Sequence, residues 1–338
     1  MQKVSILHLF TSAKNVSPFD VNMAYDAGFD KIMPYTNLAM EEIVALTQDA
    51  MFSRSITTKQ SASKVQGASK LQSASKVHGA SKMQGIDHKQ ELSGVQSQAL
   101  FFGGRDIHLA LSMQKAAVQA MFTPFELSTM SDPSGAFTTA SSMMAKIDNQ
   151  LIKLNHQFAH QTIAIFGASG TVGTTAALIA ANLNANVQLV AHDNIAKMCV
   201  FADRLLAIYG VALQVVDGTT DAAKTHVLNN ADIAICAATT GVRVIEVSHY
   251  AKSPRLKIMA DVNAVAPSGV AELNVTNDGD LIANTQIAGF GALAIGQLKY
   301  KTQQKLLQNM LANSKPMHLD FRHAFEVARN ILSAHFSS

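Results

Sequence analysis

Gly167, Gly170 and Gly173 stand three apart, directly after the apolar run Thr162 to Phe166 and directly before an alanine-rich stretch. A strand that enters such a turn and leaves it as a helix suits a diphosphate. The first glycine permits the tight turn, the second lets the backbone approach the phosphates, and the third lets helix and strand pack closely. The helix N-terminus adds unpaired N–H groups and a positive dipole end. Gly167-Ala168-Ser169-Gly170-Thr171-Val172-Gly173 is therefore a candidate dinucleotide cradle, with Ser169, Thr171 and Val172 counted among its contacts. The alternative is a tight β–α turn without a ligand. The end of the following strand selects the nucleotide: an acidic residue suits NAD, and a basic one suits the 2′-phosphate of NADP. Here stand His192, Asp193 and Asn194, with Lys197 nearby. Asp193 fits NAD, or it caps the next helix. His192, Ser169 and Lys197 could serve a phosphate, so NADP or NAD stays open. Ala237, Asp261 and Asn263 follow later strands, at the edge where α/β sheets bind ligands, and are further cofactor candidates. Their bland reading is loop structure.

Some dehydrogenase chemistries are missing. A Tyr-x-x-x-Lys pair would protonate an alkoxide, yet none of Tyr25, Tyr35, Tyr209, Tyr250 and Tyr300 has Lys four residues later. The only cysteines, Cys199 and Cys236, are far apart, and the twelve histidines show no ligand spacing, so no metal site is expected. A hydride moving here should leave a substrate that needs neither zinc nor a tyrosine acid.

The elements around these residues alternate. Strand-like runs at Val4 to Phe10, Asp30 to Tyr35, Ala50 to Arg54, Ala99 to Gly103 and Phe125 to Thr129 are separated by helical patterns at 19–27, 38–48 and 106–122. A helix over 138–154 leads to a polar stretch, 155–161. Beyond it, strands are predicted at 162–166, 186–191, 212–216, 232–237, 257–261 and 281–287, with helices between them and two closing helices at about 291–312 and 319–335. The fold class is α/β: two α/β domains, the second a Rossmann-type doubly wound parallel sheet. Residues 1–155 form the first domain, residues 156–312 the nucleotide domain, and 313–338 a helix returning to the first.

Residues 61–84 interrupt this order with four copies of a hexapeptide related to Ser-Ala-Ser-Lys-Val-Gln. One apolar residue in six makes no helical stripe, and four hexads are few for a β-solenoid. Residues 57–96 are read as a disordered surface insert. At 338 residues, 48% hydrophobic and 15% charged, the chain as a whole is nonetheless globular. A net charge of +3 argues against a nucleic-acid partner, and no apolar run is long enough to span a membrane. The opening residues read as a strand rather than a signal peptide, and the two cysteines suit a reduced, cytoplasmic setting.

With these segments in view, the chain resembles the NAD(P)-dependent methylene-tetrahydromethanopterin dehydrogenases, some of which also use methylene-tetrahydrofolate. The likeness covers nearly all of the chain outside the insert. It is carried by Pro18-Phe19-Asp20, Tyr25-Asp26 and Gly28, by Phe102-Gly103-Gly104 with Asp106, and by Asp132, Gly135 and Thr138-Thr139. It continues through the glycine loop, Ala260-Asp261-x-Asn263-Ala264, Pro267 and Gly269, and Phe290-Gly291-Ala292-Leu293-Ala294-Ile295-Gly296 with Leu298-Lys299-x-Lys301. The resemblance implies a small-molecule pterin substrate, a homo-oligomer, and hydride loss from a carbon held between two nitrogens. It makes Asp20 a carboxylate beside the developing cation and Lys299 an orienting donor. It also makes Phe19, Asp132, Gly135, Thr138, Phe290 and Lys301 substrate contacts. Each polar member has a local alternative: Asp20 as a cap after Pro18, Asp132 as a turn former, the lysines as solvated helix residues. Rivals are another two-domain dehydrogenase, of the shikimate or folate dehydrogenase/cyclohydrolase type, or a non-catalytic nucleotide sensor.

Overall fold

The computed structural model describes residues 4–53 and 98–334. The hexapeptide repeat and the disorder expected of it lie outside the described residues. The first part of the chain runs β1 (Ile6–Phe10), α1 (Pro18–Ala27), β2 (Lys31–Tyr35), α2 (Ile43–Phe52), β3 (Gln98–Phe102), α3 (Ile107–Ala120), β4 (Ser128–Ser131) and α4 (Ala136–Lys153). The second part runs β5 (Thr162–Phe166), α5 (Thr171–Asn182), β6 (Asn186–Ala191), α6 (Ile195–Tyr209), β7 (Gln214–Asp217), α7 (Asp221–Asn230), β8 (Ile233–Cys236), α8 (Val247–Tyr250) and β9 (Ile258–Asp261). It ends with β10 (Asp278–Leu281), β11 (Ala288–Phe290), α9 (Ala292–Ala312), β12 (His318–Leu319) and α10 (Phe321–Ala334).

Two sheets result. One is parallel throughout, in the order β12-β4-β3-β1-β2. Its inner strand β3, Gln-Ala-Leu-Phe-Phe, is buried along its whole length, as a strand covered on both faces must be. The other is ordered β10-β11-β9-β8-β5-β6-β7, with only β10 antiparallel. The order reverses at β5, which lies between β6 and β8, and that switch point is where doubly wound sheets open a ligand crevice.

Helices knit the sheets together. Helix α4 is buried along most of its length and packs against α5, α9 and α10. Helix α9 starts at the end of β11, yet its Leu306, Leu307 and Met310 join Leu7, Leu9, Phe101 and Met130 in the core over the first sheet. Helix α10 packs mainly on α4, and β12 just before it pairs with β4. Among the described residues no helix is long and apolar enough to cross a membrane.

Some expected elements move. Of the strand read at Ala50 to Arg54, Ala50 to Phe52 are the end of helix α2, which buries Ala50 and Met51, and Arg54 lies outside the described residues. The strand expected over 281–287 is a hairpin turn: Ile282 N–H donates to the Ile287 carbonyl at 2.9 Å, and β10 and β11 flank it. Two apolar residues bracketing a turn had the look of one strand. β4 begins three residues later than the run Phe125 to Thr129 suggests, because Phe125 stacks with Phe52 and Phe122 instead of entering the sheet. The brief β12 carries no periodic signal at all.

Candidate functional site

Two clusters lie at carboxyl edges of strands. At the first sheet, a cavity of about 440 Å³ is lined by Thr11 after β1, Gly103 and Gly104 after β3, Ser134 and Gly135 after β4, the start of α1, and Lys299 of α9. Ser17 opens α1, its Oγ accepting from Asp20 N–H at 3.3 Å, with Pro18 in the first turn. This places Phe19 on the rim and Asp20 on the floor. Ser17, not Asp20, is the cap. Asp20 is 5% exposed and accepts a hydrogen bond from Gln303 Nε2 at 2.9 Å. Burial lifts its pKa to about 6 and the nearby charge of Asp132 adds to the rise, while Gln303 and Lys299 oppose it.

Lys299 reaches the cavity from the third turn of α9. Its Nζ lies 3.7 Å from the centroid of the Phe19 ring. Burial lowers its pKa, and Asp132 and Asp20 hold it back. Gly135 makes room for it. A Cβ there would stand 2.8 Å from Nζ, and the backbone has φ +64°, where side chains are strained.

Asp132 and Thr138 lie behind the cavity rather than in it. Asp132 Oδ1 accepts from Phe137 and Thr138 N–H, at 2.9 and 3.2 Å, and Oδ2 accepts from the Thr138 hydroxyl at 2.6 Å. Both residues are fully buried, so their contacts are with each other at the head of α4. Asp132 therefore acts as an electrostatic neighbour of Lys299 and Asp20. Phe290, the last residue of β11, is buried in the core, and Lys301 is exposed on α9; neither lines the cavity. Gln303 is the residue missed by the reading of the sequence. Its only signal is its place four residues after Lys299, on the same face of α9.

The second cluster is at the switch point. Gly167 has φ +75°, and a Cβ there would overlap the carbonyl of Ala237, where β8 ends. A Cβ on Gly173 would overlap the Gly167 carbonyl and lie 2.9 Å from Ala168 Cα. The turn closes through Gly170 N–H to the Gly167 carbonyl at 3.1 Å. Ser169 and Gly170 are exposed, Thr171 is half-buried, and Val172 packs partly on the core. Ala237 thus forms one wall, and the open amide groups lie at the head of α5. That is a cradle which side chains would fill and a diphosphate fits.

After β6, His192 and Asp193 are exposed, 3.8 Å apart between Nε2 and Oδ1. The cap of α6 is Asn194, which accepts from Lys197 N–H at 3.0 Å, so Asp193 is not held by the helix start. Lys197 is exposed in that first turn. Asp261 and Asn263 are engaged by their own loop. Asp261 accepts from the N–H groups of Asn263 and Val270 at 2.9 and 3.0 Å; Asn263 donates to the Pro267 carbonyl and accepts from Val265. They shape the crevice floor beside Cys236, whose thiol burial pushes up to about 12. Among the described residues no three His, Cys, Asp or Glu are grouped as metal ligands.

Helix α9 runs from the second sheet to the cavity of the first. It starts at Gly291 on the carboxyl edge of the second sheet, and Lys299 stands eight residues on, about 12 Å at 1.5 Å per residue.

A family model described as methylene-tetrahydromethanopterin dehydrogenase, N-terminal, matches residues 18–90 and 83–134. The chain is 33% identical over 328 residues to the NAD(P)-dependent methylenetetrahydromethanopterin dehydrogenase of Methylorubrum extorquens, covering 97% of this chain and 98% of that protein. The chain belongs to this family. It is also 22% identical, over 96% of its length and 98% of the relative's, to the bifunctional protein MdtA of the same organism. Among solved structures, shikimate 5-dehydrogenase of Listeria monocytogenes matches with a TM-score of 0.45 at 14% identity, over 98% of this chain and 97% of that one.

Proposed function

We propose that this family member takes a hydride from the methylene carbon of methylene-tetrahydromethanopterin, or of methylene-tetrahydrofolate, and passes it to NAD or NADP. The observation that carries this reading is the presence of two clusters at carboxyl edges of strands: a glycine cradle shaped for a diphosphate in the second sheet, and a cavity holding Asp20 and Lys299 at the first. The bound nucleotide supplies the hydride acceptor. Gly167, Gly170, Gly173 and the head of α5 hold its phosphates, Ala237 flanks them, and Asp193, His192 and Lys197 meet the ribose end.

The protein's own part is positional and electrostatic. Hydride loss leaves positive charge shared by two nitrogens, and no hydroxyl proton has to leave. Ionised Asp20 stabilises that charge by Coulomb attraction across a partly dry cavity. Lys299 donates to the pterin, oriented by the Phe19 ring, and is not the acid of the reaction. The buried face of the cavity, Leu9 and Thr11, keeps bulk water from the carbon. The deciding experiment follows nicotinamide reduction with each methylene pterin, against formyl product from the methenyl compound; formyl product without nicotinamide reduction overturns the reading.

The family member acts in the cytoplasm, and as a homo-oligomer, in the same proposal.

A further inference from the structure

Arg105 stands exposed on the rim of the substrate cavity, and among the described residues its guanidinium has no hydrogen-bond or ion-pair partner. Its backbone is fixed on both sides. Gly103 N–H donates to the Phe10 carbonyl at 2.9 Å, and the Gly104 carbonyl accepts from the Ser134 hydroxyl at 2.9 Å. Asp106 caps α3 by accepting from His108 and Leu109 N–H at 2.8 and 3.0 Å. A planar, permanently charged fork is thus carried on a fixed stretch of backbone, with its donors free among the described residues.

The other exposed residues at the opening, Asn15, Pro18, Phe19 and Ser134, carry no charge. Asp20 and Lys299 lie deeper. The cavity therefore has an inner end suited to a polar ring and an outer end whose one charged lining residue is Arg105, with Lys14 exposed between the lining residues Ala13 and Asn15. Arginine matches carboxylate and phosphate oxygens in bidentate fashion. Both candidate substrates are molecules of this shape, a pterin ring followed by an arm that ends in anionic groups. Tetrahydrofolate ends in glutamyl carboxylates, and tetrahydromethanopterin carries carboxylates and a phosphodiester.

We propose that Arg105 binds the anionic arm of the substrate and sets the entry direction of the pterin. The inference rests on the dehydrogenase reading above and names a positioning residue for it.

The test compares the native chain with Arg105→Met and Arg105→Lys. Substrates are methylene-tetrahydromethanopterin, methylene-tetrahydrofolate and a pteroate compound, the carboxamide of methylene-tetrahydropteroate, which has neither the glutamyl arm nor a free carboxylate. Arg105→Met is expected to raise KM for the armed substrates about tenfold, with kcat and the KM for nicotinamide nucleotide unchanged. KM for the pteroate compound stays as in the native chain, and Arg105→Lys restores part of the loss. An effect on only one armed substrate identifies which anion is read. The dissociation constants of the unmethylenated pterins are measured in parallel by fluorescence quenching, so the arm is tested even if turnover fails. A chain that binds pterins without reducing nucleotide would sink the dehydrogenase reading while the affinity ratio still judges Arg105. Equal loss with the pteroate compound, no loss with any, or a raised KM for the nucleotide alone overturns the proposal.

Discussion

Gln303 reaches Asp20 across 283 residues of sequence, its Nε2 donating to Oδ1 at 2.9 Å while its own Oε1 is buried with no partner among the described residues. A donor aimed at one carboxylate oxygen favours the ionised acid against the burial that opposes it. Removing it in Gln303→Leu should raise the Asp20 pKa further, above about 6, and shift the acid limb of kcat/KM upward from that of the native chain, with the plateau rate nearly kept. A pH profile with an unmoved limb would separate Gln303 from the charge state of Asp20.

Asp20 itself should show two opposed effects. Its carboxyl is raised from 3.8 to about 6 by burial, so the folded chain holds the proton more tightly than the unfolded chain between those values. Stability is therefore greatest below the lower value and declines as pH rises through the upper one. Asp20→Asn is expected to raise the melting temperature at about pH 7.5, by the equivalent of roughly 2–3 kcal/mol, and to do little at about pH 3.5. The same variant should lose about a hundredfold in kcat and show no acid limb. Thermal scans at both pH values, beside the rate profile, check both.

Gly135→Ala sets a methyl group against Lys299 Nζ at a positive φ. A loss of about 1–3 kcal/mol in stability is expected, together with a higher KM for the pterin. The steric part should vanish in a Lys299→Ala background, leaving only the backbone cost. A double-mutant cycle with no coupling would show that the lysine simply swings aside.

The three glycines of the cradle are not equivalent. At Gly170 a Cβ would meet the Gly167 carbonyl at 3.3 Å, whereas at Gly167 and Gly173 it would collide with backbone. Gly170→Ala is expected to fold and to lose about tenfold or more in nucleotide affinity. Gly167→Ala should lower the melting temperature sharply. Calorimetric titration with NAD and NADP, beside thermal scans, measures the contrast.

Asp193, exposed and free of the helix cap, should discriminate the ribose. Asp193→Ala is expected to shift the NADP-to-NAD affinity ratio upward about tenfold by removing a like charge from the 2′-phosphate. An unchanged ratio would place selection elsewhere.

The sequence made local features legible and hid those that depend on distant partners. The run before Gly167 announced a buried strand and a cradle, because strand, turn and helix are consecutive there. The pair Asp20 and Lys299 emerged from family-like motifs, and the structure brings them to one cavity. Asp132 and Thr138 looked equally ready for substrate, yet they hold each other at the head of α4, which spacing alone does not distinguish from a free carboxylate. Phe290 sat beside a conspicuous glycine but belongs to the core. Gln303 had no motif, since its meaning lies in a residue from the opposite end of the chain. Arg105 drew no notice, being one cation among many until the cavity gave it a rim.

The pairing of β12 with β4 bears on synthesis. The first sheet lacks its last strand until residues 318 and 319 have left the ribosome, and α9, which covers that sheet, emerges shortly before them. The amino-terminal half must therefore wait, with the apolar face that α9 covers still partly open, while the other sheet is made in one continuous stretch. Chaperone dependence and aggregation during translation should track that delay, and a stop codon just ahead of residue 318 should harm the half of the protein made first.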